Sequence, residues 1–323
     1  MTRVLITGAS GFVGSNLCRR LVRDGDEVHL FLRRGFKPWR LAGVMDDVRI
    51  HEVDLRDGDA VARAVGEAKP DRVFHLAAYG AYSSQTDPRR MAETHVVGIA
   101  NLVEACLKTG VGSFVNAGSS SEYGFKDHAP AEDERIDPNS YYAVTKAAAA
   151  LYCRYASRRE NVPITTLRLY SVYGPLEEPT RLMPTLMLNC MEGALPPLVN
   201  PDVARDYVHV DDVVEAFLLA AGAPANEPGA VYNVGTGVQT TIRQVVEIAR
   251  RVFGVTAAPR WGAMENRIWD TGIWVADARL IREKLGWKPR YAFEPGFRAM
   301  AEWLRDTPGV REEYRARAAR LPS

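Results

Sequence analysis

A tyrosine and a lysine four residues apart could carry proton transfer. Tyr142 and Lys146 occupy positions i and i+4, so on a helix their side chains share one face. A free tyrosine has a pKa near about 10, too high for an effective base at neutral pH. A neighbouring ammonium favours the phenolate and lowers that pKa. We therefore expect Tyr142 to exchange a proton with a bound molecule. Tyr141 has Thr145 rather than a lysine at i+4 and is assigned a structural or substrate-facing role.

A glycine-rich segment near residue 10 could bind phosphate. The apolar run Arg3 to Thr7 precedes it, and a helical pattern follows. Glycines permit a tight turn and the approach of a pyrophosphate to backbone amides, while the helix N-terminus adds partial positive charge. Because a strand precedes and a helix follows, a dinucleotide site is favoured over a structural turn. The expected cofactor contacts are Gly8, Gly11, Phe12, Val13 and Gly14.

Residues after the second and third predicted strands could bind the adenosine end of that dinucleotide. Leu32 stands where NAD-binding proteins usually place an acid, and Arg33 and Arg34 follow it. Guanidinium groups would bind a 2′-phosphate, so we expect NADP, with NAD as the alternative. A solvated basic loop would give the same pattern. Asp54 and Leu55 are suited to contact the adenine. Alternatively, Asp54 is an aspartate at the end of a strand that bonds only its own loop.

The elements that position these residues alternate between strands and helices. Strand patterns cover 3–7, 27–32, 48–53, 72–76, 113–117 and 164–169, with helical patterns such as 13–24 and 91–109 between them. The strand patterns are near-continuous apolar runs, which predicts strands buried on both faces. The alternation predicts an α/β fold with a doubly wound parallel Rossmann sheet.

A second, smaller α/β domain is expected after Tyr170, where proline and glycine become dense. We assign 1–170 to the dinucleotide-binding domain, rejoined by about 206–235. Residues 171–205 and 236–323 then form the substrate-binding domain, with the Arg-rich stretch 308–323 as a solvated helical tail.

The composition narrows the class of protein. Lys plus Arg total 41 and Asp plus Glu total 40, so the net charge of +1 argues against a nucleic-acid or membrane-surface protein. No apolar run approaches the roughly 20 residues of a membrane span, and no secretory leader is recognised. The cysteines are scattered, so we expect reduced thiols, a cytoplasmic location and no metal site. They are Cys18, Cys106, Cys153 and Cys190.

Several motifs in order resemble the extended short-chain dehydrogenase/reductase family, in particular its NAD(P)-dependent nucleotide-sugar epimerases, dehydratases and reductases. The first is the Gly-x-x-Gly-x-x-Gly spacing described above. The others are His75 to Ala78, Ser119 to Gly124, Tyr142 to Lys146, Tyr173 to Pro175, Arg205 to Asp212 and Leu285 to Pro289. Together they cover nearly the whole chain, which makes the combination far more specific than any one motif.

The resemblance implies roles for individual residues. Tyr142 would be the catalytic base, Lys146 would also hold the nicotinamide ribose, and Ser119 would hydrogen-bond the reacting sugar oxygen. Ser120 and Ser121 are rivals for that role and are expected to contact substrate. Further cofactor contacts are implied at Leu76, Ala77 and Ala78, and contacts with the substrate diphosphate at Arg205 and Arg267.

The sequence departs from the family pattern at several positions. Family 4,6-dehydratases carry acids just after the catalytic Ser/Thr, where this chain has Ser120 and Ser121. Glu122 comes one step late, although a gap could bring it into register. Ser171 and His95 stand where the family commonly has asparagine. Dehydration is therefore less favoured than other reactions of the family.

The resemblance implies hydride transfer at a sugar carbon, C4 in our interpretation, of a nucleotide-activated hexose. A 4-epimerase is slightly favoured by family frequencies, while Arg33 and Arg34 favour an NADPH-dependent reductase of a 4-keto sugar. A non-catalytic NADP-sensing protein of the same fold is the alternative from another class. A homodimer is also expected. Its helices would pair through Ala147 to Ala150 and through Ile99, Leu102, Val103 and Cys106, unless these residues only cover their own sheet.

Overall fold

The helices and strands are taken from a computed structural model that describes residues 1–82, 84–223, 227–265 and 271–319. The strands are β1 Arg3–Thr7, β2 Glu27–Leu32, β3 Val48–Glu52, β4 Arg72–His75, β5 Ser113–Ser119, β6 Ile164–Leu169, β7 Ser171–Tyr173, β8 Ala204–His209, β9 Val231–Val234 and β10 Gln239–Thr241. The α-helices are α1 Phe12–Arg23, α2 Gly58–Ala68, α3 Pro88–Ala92, α4 Gly98–Thr109, α5 Tyr141–Glu160, α6 Leu182–Cys190, α7 Val210–Gly222, α8 Ile242–Phe253, α9 Arg279–Leu285, α10 Phe293–Asp306 and α11 Val310–Ala319.

The main sheet is parallel, with the strand order β3-β2-β1-β4-β5-β6-β9. Val4 and Ile6 pack into a core shared with α1 and α7, whereas Leu5 faces a second core with α2, α4 and α5. Helices therefore cover both faces, which confirms the predicted doubly wound Rossmann fold. The strand order reverses between β1 and β4, and ligands of such sheets bind at the carboxyl ends of strands at that point.

Strand β3 corrects one expectation. It lies at the edge of the sheet, with β2 as its described neighbour, and most of its residues are exposed or half-buried. The prediction that the strands are buried on both faces is wrong for β3. An edge position leaves one side of the strand open to water, and charged side chains there discourage pairing with another chain.

A smaller sheet begins one residue after β6. The chain leaves the main sheet at the buried Tyr170, and β7 then pairs in parallel with β8, which pairs antiparallel with β10. Helices α6, α8 and α10 supply this sheet with its own hydrophobic core. Strand β9 returns to the main sheet against β6. The smaller α/β unit predicted beside the Rossmann sheet is therefore present, while its residue boundaries stay a prediction.

Two expectations about helix surfaces are wrong. Ile99, Leu102, Val103 and Cys106 are at most 1% exposed, because α4 packs them beneath the main sheet. They cannot pair two subunits. The C-terminal α11 is not wholly solvated, since the side chain of Tyr314 is fully buried between Trp39 and Trp303.

Helix α5 has an exposed apolar face of its own. The dimer contact predicted from the sequence involved only the small residues Ala147 to Ala150 of this helix, and most of them are buried. The exposed large side chains lie elsewhere on the helix, at Tyr141, Val144, Leu151 and Tyr155. Among the described ranges, no helix is both long and apolar enough to cross a bilayer.

Candidate active site

The glycine-rich turn joins β1 to α1 at the point where the sheet order reverses. Gly8 has a φ of +74°, and a Cβ there would lie 2.5 Å from the backbone nitrogen of Ala77. A Cβ on Gly14 would lie 2.4 Å from the carbonyl oxygen of Gly8. Both positions therefore require glycine, one for its conformation and its packing against the loop after β4, and the other for the contact between helix and strand.

The N-terminus of α1 provides backbone amides that could bind a pyrophosphate. Gly11 is the N-cap, and no side chain caps the helix. The amides of the first turn, at Phe12 and Val13, are therefore left without a side-chain acceptor, which makes the turn a ready anion site. The residues present fit a dinucleotide.

The segment after β4 is fixed against this turn. The amide of Leu76 donates to the carbonyl oxygen of Thr7 at 3.1 Å, and the amide of Ala77 donates to the Thr7 hydroxyl at 3.3 Å. The same hydroxyl lies 2.8 Å from Nδ1 of the buried His75. Ala78 follows and is more exposed. The structure thus brings these three predicted cofactor contacts to the carboxyl end of β4, beside Gly8.

The predicted adenosine contacts lie at the carboxyl ends of β2 and β3. Leu32 is buried, whereas Arg33 and Arg34 are exposed. The carboxylate of Asp54 accepts hydrogen bonds from the side chain of Arg56. Hydrogen bonds from the Arg56 side chain hold the pKa of the Asp54 carboxyl below its ordinary value, with a smaller contribution from the charge of Arg33. In this structure Asp54 therefore bonds its own loop, as one of the two interpretations expected. Leu55, the next residue, is buried.

Tyr142 and Ser119 lie together where β5 ends and α5 begins. The hydroxyl of Ser140 caps α5 by accepting from the amide of Ala143, which sets Tyr142 on the first turn. Burial raises the pKa of Tyr142 to about 12, partly offset by the charge of Arg181 and by the nearby Ser119 side chain. The two predicted catalytic hydroxyls therefore lie near each other.

Lys146 lies in the same region, where its ammonium contacts the backbone. Its ammonium is buried and donates to the carbonyl oxygen of Ala117 on β5. Burial also lowers its own pKa. In this structure the pKa of Tyr142 is raised rather than lowered, and the ammonium of Lys146 is directed at the backbone; its predicted role towards Tyr142 stays a prediction.

His95 supports Tyr142, a role that the sequence did not reveal. Its Nε2 accepts the amide hydrogen of Tyr79 at 3.0 Å, so its Nδ1 donates to the hydroxyl of Thr145 at 2.8 Å. Its ring stands edge-on to that of Tyr142, with centroids 5.5 Å apart. Burial lowers the pKa of His95 to about 2, so the imidazole stays neutral. The π-helical turn Glu93–Val97 that carries it is a feature frequent at functional sites.

The three serines at the end of β5 have distinct partners. The Oγ atoms of Ser119 and Ser121 are 2.7 Å apart, and Ser120 Oγ accepts from the indole Nε1 of Trp274 at 3.1 Å. The carboxylate of Glu122 accepts from the amide of Ser119 at 2.8 Å, forming a capping box. Glu122 therefore turns back into the protein rather than towards a substrate.

Arg205 lies on β8, in the smaller sheet. Its Nη1 donates to the carbonyl oxygen of Ala204 at 2.7 Å, and its guanidinium stands 5.4 Å from the centroid of the Trp274 ring. The second predicted diphosphate contact, Arg267, lies outside the described residues. A cavity of about 510 Å³ elsewhere, lined by residues such as Arg279 and Arg282, contains none of the predicted catalytic residues, so we do not regard it as the active site.

Comparison with known proteins decides the family. A model described as the NAD dependent epimerase/dehydratase family matches residues 4–235. The chain belongs to this family. It is an enzyme of the extended short-chain dehydrogenase/reductase type, as the motifs indicated.

The family members that resemble this chain are named for different reactions. The chain is 33% identical to a UDP-glucose 4-epimerase of Mycolicibacterium smegmatis over 94% of its own length and 99% of the relative's. It is 29% identical to a dTDP-glucose 4,6-dehydratase of Streptomyces antibioticus, over 98% and 96%. The structure of a UDP-glucose 4-epimerase from Thermotoga maritima with UDP-glucose superposes with a TM-score of 0.85 at 29% identity, over 94% and 99%. Overall similarity leaves the reaction open.

Proposed function

We propose that the enzyme is a nucleotide-sugar 4-epimerase. The observation that carries the proposal is the set of side chains after β5. Ser119 ends β5, which packs against the helix α5 that carries Tyr142, while Ser120 and Ser121 supply hydroxyls where dehydration would need acids. Glu122, the nearest carboxylate along the chain, is committed to Arg168 at 2.8 Å. Proton exchange at a sugar hydroxyl is thus supported, whereas protonation of a leaving group is not.

Each of these residues has a part in the proposed mechanism. The positive charges of Lys146 and of an oxidised nicotinamide would favour the phenolate of Tyr142, which would take the proton from the C4 hydroxyl and return it after the sugar has presented its other face. Ser119 donates a hydrogen bond to the same oxygen, and Lys146 holds the ribose of the cofactor. His95 holds the first turn of α5 in place through Thr145. Gly8, Gly11 and Gly14 would hold the pyrophosphate of a dinucleotide, whose nicotinamide would supply reversible hydride transfer.

The substrate class is a nucleoside diphosphate hexose. Arg205 offers a guanidinium for the diphosphate, and the curated relatives act on UDP-glucose and dTDP-glucose. The test is incubation with each of these two sugars, followed by chromatographic and NMR analysis of the product. We expect the C4 epimer of at least one of them. A 4-keto-6-deoxy product would identify a dehydratase instead.

A reductase is the second candidate, and Arg33 and Arg34 favour it. They are exposed at the end of β2, and the buried Leu32 offers no acid to the ribose hydroxyls. Two guanidinium groups there would prefer NADPH, the cofactor of a net reduction. The family description gives NAD as the cofactor. The 2′-phosphate preference is therefore a proposal that rests on these two arginines.

We further propose a cytoplasmic homodimer. All four cysteines are buried and free, which suits a reducing compartment. The exposed face of α5, at Tyr141, Val144, Leu151 and Tyr155, is the apolar surface that a second copy would cover. Light scattering of the wild-type protein and of Leu151→Asp tests this: we expect a dimer that the aspartate dissociates, and a wild-type monomer would contradict it.

A further inference from the structure

A buried arginine after β2 joins the two halves of the molecule. Arg40 lies in the short helical turn Pro38–Leu41 and is 5% exposed. Its Nε donates to the carbonyl oxygen of Leu176 at 2.8 Å, and its Nη2 donates to Oε2 of Glu178 at 2.8 Å. Both acceptors belong to the loop 174–181, which leads from β7 of the smaller sheet to α6. One guanidinium group therefore ties the Rossmann half to the smaller domain.

This arginine is braced from the C-terminal helix. The guanidinium of Arg40 lies 4.2 Å from the centroid of the Trp39 ring, and that of Arg317 on α11 lies 4.5 Å from the same centroid. Tyr314, also on α11, packs edge-on against this ring with centroids 5.9 Å apart. Cation–π and aromatic contacts of this kind fix the orientation of the side chains that make them. We call Trp39 and Arg40 the latch.

The loop that the latch holds is strained. Leu176 has a φ of +68°, a conformation that costs free energy for a residue other than glycine. Such a conformation persists only where surrounding contacts impose it, and a bond from Arg40 ends on the carbonyl oxygen of this same residue. The next side chain, Glu177, is buried. Because strained segments cluster at ligand sites and clamps, the latch calls for a functional explanation.

On the Rossmann side, the latch is anchored on elements predicted to bind the cofactor. Nη2 of Arg19, on α1, donates to the carbonyl oxygen of Arg40 at 2.9 Å. One turn earlier, Nδ2 of Asn16 donates to the carbonyl oxygen of Phe12 at 3.0 Å and to that of Pro175, in the loop, at 2.9 Å. Helix α1 begins at the predicted pyrophosphate turn, and the connection that carries the latch begins with the two arginines proposed for the adenosine end. The latch thus fixes both elements against the smaller domain.

We propose that Arg40 is a positioning residue for the cofactor, and that its bonds to the loop 174–181 slow the release of the bound dinucleotide. Elements that are held in their binding positions before the ligand arrives lose less freedom on binding, and the gain in affinity appears mainly as slower release. Arg40 acts through these elements rather than on a 2′-phosphate, so it serves NAD and NADP alike. The inference rests on the predicted cofactor contacts and not on the reaction. A purely structural role predicts a lower unfolding temperature with unchanged release.

The experiment measures the release of NADH and NADPH from the wild type, Arg40→Gln, Arg40→Lys, Glu178→Gln and Trp39→Leu. Each reduced cofactor is loaded and then displaced by an excess of its oxidised form, and the change in nicotinamide fluorescence gives the release rate. Calorimetry gives the Kd values, and thermal unfolding checks the fold. Arg243→Gln is the matched control, because this arginine lies 5.7 Å from the ring centroid of Trp261 and is likewise paired with a carboxylate, away from the latch.

We expect Arg40→Gln to accelerate the release of NADH and of NADPH by the same factor, about tenfold. Arg40→Lys should lie between this variant and the wild type, because an ammonium group keeps the charge but cannot reproduce the planar fork to two acceptors. Glu178→Gln and Trp39→Leu should each accelerate both releases by a smaller factor, since each leaves part of the latch in place. Arg243→Gln should release both cofactors at the wild-type rate.

Unchanged release in Arg40→Gln would overturn the proposal, and so would acceleration restricted to NADPH, which would make Arg40 a direct ligand of the 2′-phosphate. If Arg40→Gln does not fold, Glu178→Gln and Trp39→Leu decide, and wild-type release rates in both would overturn it. Equal acceleration in Arg243→Gln, or a wild-type protein that binds neither cofactor, would do the same. The expected release rates in an enzyme that does not epimerise nucleotide sugars would refute the proposed reaction and leave the role of Arg40 intact.

Discussion

Arg168 holds the carboxylate of Glu122 in a fully buried ion pair, with Nε 2.8 Å from Oε2. Glu122 is 0% exposed, and its other oxygen accepts from the amide of Ser119. The guanidinium also lies over the ring of Tyr123. A carboxylate so enclosed shapes the turn that presents Ser119, and it has no path to a leaving group on a sugar. This arrangement supports the proposed epimerase over a dehydratase.

Glu122→Gln should destabilise the fold, because it leaves the charge of Arg168 buried without its partner. We expect the free energy of unfolding in urea to fall by about 3–5 kcal/mol. Glu134→Gln is the control, since its carboxylate is solvent-accessible and its loss should leave the free energy of unfolding nearly unchanged. Unchanged stability of Glu122→Gln would show that the pair is not structural.

Tyr142→Phe removes the hydroxyl and keeps the ring that packs against His95. Turnover of the nucleotide sugar should fall at least about 10²-fold, because the proton of the C4 hydroxyl has no acceptor. The Kd of the cofactor should not change, and Tyr155→Phe, on the exposed face of the same helix, should retain activity. Steady-state rates and cofactor titration check this; full turnover in Tyr142→Phe would remove Tyr142 from the mechanism.

Glu177 should make stability fall as pH rises towards its folded pKa of about 8. It is 6% exposed, its Oε2 has no hydrogen-bond partner among the described residues, and burial raises its pKa to about 8. An unfolded glutamate titrates near about 4.3, so between these values the folded state binds the extra proton and stability falls as pH rises.

Glu177→Gln should remove this dependence. Thermal unfolding between about pH 6.5 and 9 should show a decline for wild type that flattens in the variant, while the exposed Glu283→Gln behaves like wild type. This window avoids the buried His75 and His95, which titrate at lower pH. Parallel curves for wild type and Glu177→Gln would contradict the assignment of a neutral Glu177.

Arg33→Ala tests the adenosine end of the site. If Arg33 binds a 2′-phosphate, the Kd of NADPH should rise much more than that of NADH, which lacks the phosphate. Arg49→Ala, an exposed arginine on the neighbouring strand β3, should change neither. Equal changes in both Kd values, or tightly bound NAD released on denaturing the wild-type protein, would show that the two arginines are only a solvated loop.

Much of the Rossmann half could be predicted from local patterns. The β1 strand, the glycine turn and the placement of Tyr142 and Lys146 on one helix follow from apolar runs, glycine spacing and the i to i+4 relation, each of which lies within a short segment. The exposure of β3 could not be predicted in this way, because an edge strand is defined by where the sheet ends.

The contacts that decide the site chemistry join distant segments. Lys146 bonds the carbonyl oxygen of Ala117, and Trp274 bonds Ser120 across 154 positions. Helical periodicity marked Ile99 and Leu102 as apolar but could not tell a face that covers the chain's own sheet from one that meets a second copy. Burial in the folded chain made that distinction.

Isotopic labelling at the reacting carbon tests the epimerase proposal most directly. The purified enzyme is given UDP-glucose carrying deuterium at C4, with no cofactor added, and the product is examined by NMR and mass spectrometry. We predict the C4 epimer with the deuterium retained at C4, because an epimerase returns the hydrogen that it removed. A product that forms only with added NADPH, or a 4-keto-6-deoxy sugar without hydrogen at C4, would contradict the account.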